Sequence, residues 1–298
     1  MANQGGSNMV DSDDTPGMPA VRFYKPSAPL ADFITSFYVV EASRPLVDHL
    51  HPEWANIRLV LSGLWRTCPV DAPPDPVRVA TIFGPTDRTR RVEASHGVMI
   101  GIGLTPLGWL RLTGADARSY ANRVADLAEI FGPGAADIIP ALVALPDEPA
   151  RIAHLTSRFE SRIGVACPED ALVRAIHAEI VATHYSSVAA LVEKLEISER
   201  SLHRACLRSF GFSAKRLLRR QRFLRALDAV SNQLDQPLSQ IFGDEYYDQS
   251  HFNREFRRYM GMTPMAYFRS PRETLRRAAI ERQRLIGGSL QGLHAPRP

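Results

Sequence analysis

The sequence predicts an α+β chain: an N-terminal antiparallel β-barrel with accompanying helices, followed by an all-α domain of two helix-turn-helix units. Three observations predict it. Up to about residue 104, short β-branched and aromatic runs alternate with turn signals. From there the apolar period is helical, to about residue 285. Within this helical region a single arrangement, short helix, turn, longer helix, occurs twice.

The barrel strands are read from FITSFYVV, NIRLVLSGLW, VRVATIFG and VMIGIGL, separated by PSAPL, DAPPDP and GPTD. Thr105 then reads as an N-cap with Pro106 at the first helical position, and helices follow to about residue 163. GVACPED, around Pro168, is the linker candidate. The expected division is a disordered leader over 1–20, a regulatory or dimerisation domain over 21–165, a helical domain over 168–286 and a flexible tail over 287–298.

In the helical domain a helix over about 170–184 carries Leu172, Ile176, Ile180 and Val181 on one stripe. Ser186 or Ser187 caps a short helix that ends near Leu195. Ser198 caps the next, which turns Leu202, Ala205, Cys206 and Phe210 inward and ends at Gly211. A helix over about 213–232 buries Leu217, Leu218, Leu224, Leu227 and Val230 and shows Arg216, Arg219, Arg220 and Arg222 on its other face. The pattern then recurs. Pro237 opens a short helix with Leu238 and Ile241 inward, and Asp248 caps a helix with Phe252, Phe256, Tyr259 and Met260 inward, closed by Gly261. Thr263-Pro264 starts one more turn. Ser270-Pro271-Arg272-Glu273 reads as a capping box for a last helix to about Leu285.

With 298 residues and 45% hydrophobic content the chain can bury two cores. No apolar run approaches bilayer length, and the start is polar and acidic where a signal peptide is basic and then apolar. Cys68, Cys167 and Cys206 are odd in number and far apart, which suggests neither a disulfide framework nor a zinc knuckle and fits a reducing cytoplasm. The net charge of +4 is unevenly spread. Residues 1–197 hold 17 Lys+Arg against 23 Asp+Glu, net −6; residues 198–298 hold 19 against 9, net +10. Of those 19 cations 18 are Arg, whose planar fork matches phosphate oxygens and the guanine edge. A polyanionic partner is the sharper reading; an Arg-rich solvated surface is the plainer one.

The buried aromatic stripe leaves Gln249, Ser250, Asn253, Arg254 and Arg257 outward on the helix after Asp248. The helix after Ser198 exposes Arg200, His203, Arg204 and Arg208 in the same way. Gln and Asn match the adenine edge, Arg matches guanine, and Ser bonds to base or phosphate. The helix between them is about 30 Å long, near the roughly 34 Å between successive major grooves on one duplex face. His251 reads as a packing or phosphate-contacting residue, Glu255 as a surface ion pair with Arg254 and Arg258, and Cys206 as core.

In the first half, HLHPE places His49, His51 and Glu53 at alternate positions, so on a strand they could face one ion, although a polar strand edge accounts for them equally. Trp54, Trp65, Trp109 and Arg58 could line a small-molecule pocket or fill the core. There is no Gly-rich phosphate loop, G-x-S-x-G or partnered carboxylate pair, so catalysis is not expected.

SVAALVEKLEISERSLHRACLRSFG, then SAKRLLRRQRFLRAL, then YYDQSHFNREFRRYMGMTPMAYFR carry a resemblance. The region of about 187–269 resembles the DNA-binding domain of the AraC/XylS family of bacterial transcription regulators. The Asp-Gln-Ser-His-Phe run, Gly261 and Thr-Pro-x-x-Tyr are its most specific features. The resemblance implies that Arg200, His203 and Arg204 lie on the base-reading face of a first recognition helix, and Gln249, Ser250, Asn253 and Arg254 on that of a second. Cys206 departs from the family's large aromatic, and the turn before Asp248 is about one residue short and lacks the usual glycine. A weaker likeness over about 24–132, in YKPSAPLADFITSFYVVE and GIGLTPLGWLRLTG, implies a cupin-like barrel. The implied protein is a sequence-specific regulator, a homodimer joined through 105–163, with promoter DNA and RNA polymerase as partners, a small-molecule effector, and no cofactor or membrane. The alternative is a metal-dependent cupin-type enzyme or sensor fused to a DNA-binding domain, with His49, His51 and Glu53 as its ligands.

Overall fold

Alternate residues of one central strand enter two different cores, and this double burial sets the layering of the first half. In β4 (Asn56–Val60), Ile57 and Leu59 join Phe37, Val39, Ile100 and Ile102, while Asn56, Arg58 and Val60 face the other way. The computed structural model describes residues 19–70, 72–73, 75–182, 187–232, 249–270 and 272–297. Most of the expected leader (1–18), the short helix expected at Pro237, and Leu238, Ile241 and Asp248 lie outside the described residues.

The strands form two antiparallel sheets. β1 (Ala20–Tyr24), β2 (Ile34–Ala42), β9 (Gly97–Leu104), β4, β7 (Ala80–Phe83) and β10 (Val124–Asp126) lie side by side in that order. The second sheet runs β3 (Leu46–Leu50), β8 (Arg90–Ala94), β5 (Trp65–Pro69), β6 (Asp75–Pro76). The antiparallel strand domain is as expected, but the two sheets do not close into a barrel. β3 pairs with β8 and not with β2, its neighbour in the chain, so the sheets part between β2 and β3. Val21, Val40, Val60, Trp65 and Met99 form an apolar cluster between them. Gly101 lets the Tyr38 ring lie across β9, since a Cβ there would come within 1.9 Å of it. The far face of the six-stranded sheet is covered by α1 (Ile138–Val143) and α2 (Glu148–Glu160), through Ile138, Leu142, Ile152, Leu155 and Phe159. Thr105 accepts the N–H of Gly108 at 2.8 Å, so the chain enters this layer through the expected cap.

The second half is helical: α3 (Glu169–Ala182), α4 (Val188–Leu195), α5 (Glu199–Phe210), α6 (Ala214–Asn232), α7 (Gln249–Met260), α8 (Pro264–Arg269) and α9 (Glu273–Ile286). Ser187 accepts from Ala190 at 3.2 Å and Ser198 from Ser201 at 3.1 Å, each fixing a helix start. Gly211 and Gly261 end α5 and α7 with φ of 77° and 70°, where a side chain would be strained. The first unit packs Leu191, Leu202, Cys206 and Phe210 on Val173, Ile176 and Ile180, and the same cluster takes in Trp54, Leu107 and Leu110 from the first half. Cys206 is core, and burial pushes its thiol up to about 12. Phe252, Phe256, Tyr259 and Met260 pack on Phe223, Leu224 and Leu227 of α6.

The end of the chain differs from the sequence reading. The position before α9 is Arg272, which makes no side-chain cap bond. Asp48 of β3 does the capping, accepting the Leu275 N–H at 2.8 Å. Residues 287–297, expected as a flexible tail, pack through buried Leu290, and Gln221 donates to the Gly292 carbonyl at 2.8 Å.

Phe256 is fully buried and its ring meets Phe223, Phe252, Tyr267 and Phe268. Phe256→Ala is expected to destabilise the chain by about 3–5 kcal/mol in denaturant titrations. A loss below about 1 kcal/mol would contradict this packing.

Candidate nucleic-acid interface and ligand cavity

The amphipathic pattern of α5 and α7 decides what they present. On α5 the buried residues are Leu202, Cys206, Ser209 and Phe210, which leaves Arg200, His203, Arg204 and Arg208 exposed. On α7 burial of Phe252, Phe256, Tyr259 and Met260 leaves Gln249, Ser250, Arg254 and Arg257 exposed, with Asn253 and His251 half-buried beside them. Each set shares one side of its helix. Arg208 is tied to Glu169 at 3.0 Å.

Glu255 is not a surface residue. It is 3% exposed and accepts from Arg219 at 3.1 Å and Arg222 at 3.0 Å, across the gap to α6, where the sequence suggested Arg254 and Arg258 as its partners. The cationic face expected on α6 is likewise not open. Arg216 pairs with Asp87 of the first half. Arg220 has no exposed surface; its guanidinium lies 3.9 Å from the centre of the Trp54 ring and donates to the carbonyls of Thr86 at 3.0 Å and Glu53 at 3.3 Å. Burial lowers it to about 9, against the opposing pull of Asp87. The single-stripe reading failed here because α6 is covered on several sides, by the first half, by the first unit and by α7.

The HLHPE group does not converge on an ion. β3 ends at Leu50, so the alternation stops before His51 and Glu53. Glu53 pairs with Arg58 at 2.7 Å, and His51 Nε2 lies 2.5 Å from the Tyr267 hydroxyl. Among the described residues no group of three His, Cys, Asp or Glu could hold a metal.

Between the sheets lies a cavity of about 140 Å³. Its walls are Val40, Leu46, Trp65, Val92 and Met99 on the sheets, with Leu275 and Ala278 of α9 across from them. Trp65 and Arg58 line it as the sequence suggested, whereas Trp54 stacks on Arg220 and Trp109 donates its indole N–H to the Ala115 carbonyl in the core. Arg58, 3% exposed, donates to Glu53 and, at 3.2 Å, to the Tyr38 hydroxyl. Arg282 of α9, 4% exposed, donates to Ser36 Oγ at 3.1 Å. Burial lowers Arg282 to about 10, so it is a cation at neutral pH. Arg282 and Gln291 escaped the sequence reading because they lie in what looked like a covering helix and a fraying tail.

A family model described as a helix-turn-helix domain matches residues 191–270. Among solved structures, ToxT from Vibrio cholerae is similar at 11% identity and a TM-score of 0.42, covering 78% of this chain and 96% of that one. Unsaturated fatty acid bound wild-type ToxT from Vibrio cholerae gives 11% and 0.40, with 85% and 95% covered. The AraC-like transcriptional activator CuxR gives 15% and 0.25, with 70% and 87% covered. No curated protein matches this sequence. No helix among the described residues is long and apolar enough to cross a membrane.

Three histidines lie where the halves meet: His51 against Tyr267, His177 against Trp54 and Phe210, and His294 beside His177. Burial lowers them from 6.5 to about 3, 3 and 4. The unfolded chain therefore takes up protons near pH 6.5 that the folded chain refuses, and stability is lost as pH falls below that value. Asp48, raised from 3.8 to about 6 by burial, works the other way between those values. The balance is roughly two protons near pH 5, each contributing about 1.4 kcal/mol per pH unit. Denaturant titrations at pH 7.5, 6 and 5 are expected to show stability falling with pH; a flat or rising profile toward acid would contradict the burial of these rings.

Proposed function

We propose that this chain, a DNA-binding transcription regulator with an AraC-type helix-turn-helix domain, reads two adjacent major-groove segments with α5 and α7. The observation that carries this reading is that the domain contains two helices whose buried stripes leave Arg200, His203 and Arg204 on one, and Gln249, Ser250, Asn253, Arg254 and Arg257 on the other, turned outward together. These types suit base edges: Arg for guanine, Gln and Asn for adenine, Ser for base or phosphate. α6, at 19 residues, spans about 28 Å and connects the two units, a length comparable to the roughly 34 Å between successive grooves. Arginine contacts to phosphate supply salt-dependent affinity, and the two faces supply sequence choice.

Residues 21–165 form the sensing and dimerising region and 168–286 the DNA-binding region. A homodimer through 105–163 gains avidity on paired sites. The cavity between the sheets is the place for a small-molecule effector. Promoter DNA and RNA polymerase are the partners, the cytoplasm is the setting, and binding is the activity in place of catalysis.

Gel-shift titrations of the full chain on a randomised duplex library test this. Arg254→Ala is expected to relax choice at one base position by about 1–3 kcal/mol. Arg219→Ala, whose guanidinium is held by Glu255, is expected to lower thermal stability while leaving base preference as it was. Failure of the unmodified chain to retain any duplex at low salt would overturn the reading.

A further inference from the structure

We propose that the cavity between the sheets binds a compact monocarboxylate, a single carboxylate on an apolar body about one ring in size, held between Arg58 and Arg282. That such an acid acts as an effector rests on the regulator reading; the binding itself does not.

Two buried guanidiniums face this space with donors that no described residue receives. Arg58 gives Nη2 to Glu53 and Nε to Tyr38, and its Nη1 has no hydrogen-bond partner among the described residues. Arg282 gives Nη1 to Ser36, and its Nε and Nη2 have none. Asn56 Nδ2, on the same wall, also has none. Buried donors are nearly always satisfied in folded proteins, so several together around one space mark a place for an acceptor. Two guanidiniums suit a carboxylate, whose two oxygens each take a charge-assisted bond.

Charge narrows the class. The charged groups lining the cavity are Arg58, Arg282 and Glu53, a net of +1, and His51 is neutral at pH 7. One negative charge balances that set; a dianion does not. Size narrows it further. A cavity of about 140 Å³ is close to an engineered apolar cavity of roughly 150 Å³ that takes benzene, so the body is one ring or a short branched chain and a long acyl chain is too large.

Arg282 also makes the site conditional. It rides on α9, and Gln291 closes the same wall while the next residue, Gly292, is held by Gln221 of α6. An acid bridging Arg58 and Arg282 therefore joins the sheets to the segment 272–297, and through it to α6. Occupancy favours the docked arrangement to the extent that the acid binds it better than the open one.

The test uses the purified full chain, with calorimetric titration and thermal shift against cyclohexanecarboxylate and phenylacetate. Cyclohexanecarboxamide serves as the uncharged match and palmitate as the long one. Saturable binding by the two small acids, at least tenfold weaker for the amide, is expected. Arg282→Gln is expected to lose at least tenfold in acid affinity, and Ala278→Phe, which fills the cavity from α9, to abolish binding. Circular dichroism of each variant confirms folding, and duplex retention, followed in parallel, separates this inference from the regulator reading. Equal binding of amide and acid, a response to palmitate alone, no response to any acid, or unchanged affinity in a folded Arg282→Gln would each overturn the proposal.

Discussion

Burial of the Arg220 guanidinium against Trp54 determines how the two halves of the chain meet. Removing a cation from water costs several kcal/mol even after relaxation. Here the cost is offset by the indole face and by the carbonyls of Thr86 and Glu53, which receive its protons. Those acceptors belong to the first half and the arginine to the middle of α6. Leu217 and Leu218, just before it, enter the core of the first helix-turn-helix unit, and Phe223 and Leu224, just after it, enter the core around α7. One helix therefore links the cores of α5 and α7 to each other and to the sheets. Arg216 to Asp87 adds a second contact between α6 and the first half, and Gln221 to Gly292 ties α6 to the segment after α9.

The open seam between the sheets and the position of the last helix are two aspects of one arrangement. β1 and β3 are edge strands, one in each sheet, and α9 lies against both. A covered edge offers no template for another chain, so the helix protects these two of the sheets' edges. It also forms the wall of the cavity. A site built this way draws a cation from each side, Arg58 from a strand and Arg282 from the helix, within an otherwise largely apolar lining.

What could be read in the sequence, and what could not, follows from whether the signal is local. The starts of α4 and α5 and the ends of α5 and α7 were readable because a Ser hydroxyl satisfying an orphan N–H, or a glycine at positive φ, acts within a few residues. The outward sets on α5 and α7 were readable because each helix has one buried side. α6 broke that assumption, so Arg220 was placed on the wrong face and Phe223 was left out of the buried stripe. Glu255 carries no local sign of its burial, which depends on Arg219 and Arg222 of another helix. In the first half, residue type alone named Trp65 and Arg58 as pocket candidates but could not separate them from Trp54 and Trp109, whereas His51 and Glu53 fall after β3 ends and obey no alternation. The separation of the sheets was hidden because strand runs reveal neither partners nor closure.

Asp48 completes a helix that lies 227 residues further along the chain. This helix thus takes the acceptor for its first turn from a strand made long before it. Its helicity becomes a property of the whole chain and not of its own fourteen residues: cut away from the sheets, the segment loses the carboxylate that holds its amino end, and frays from there.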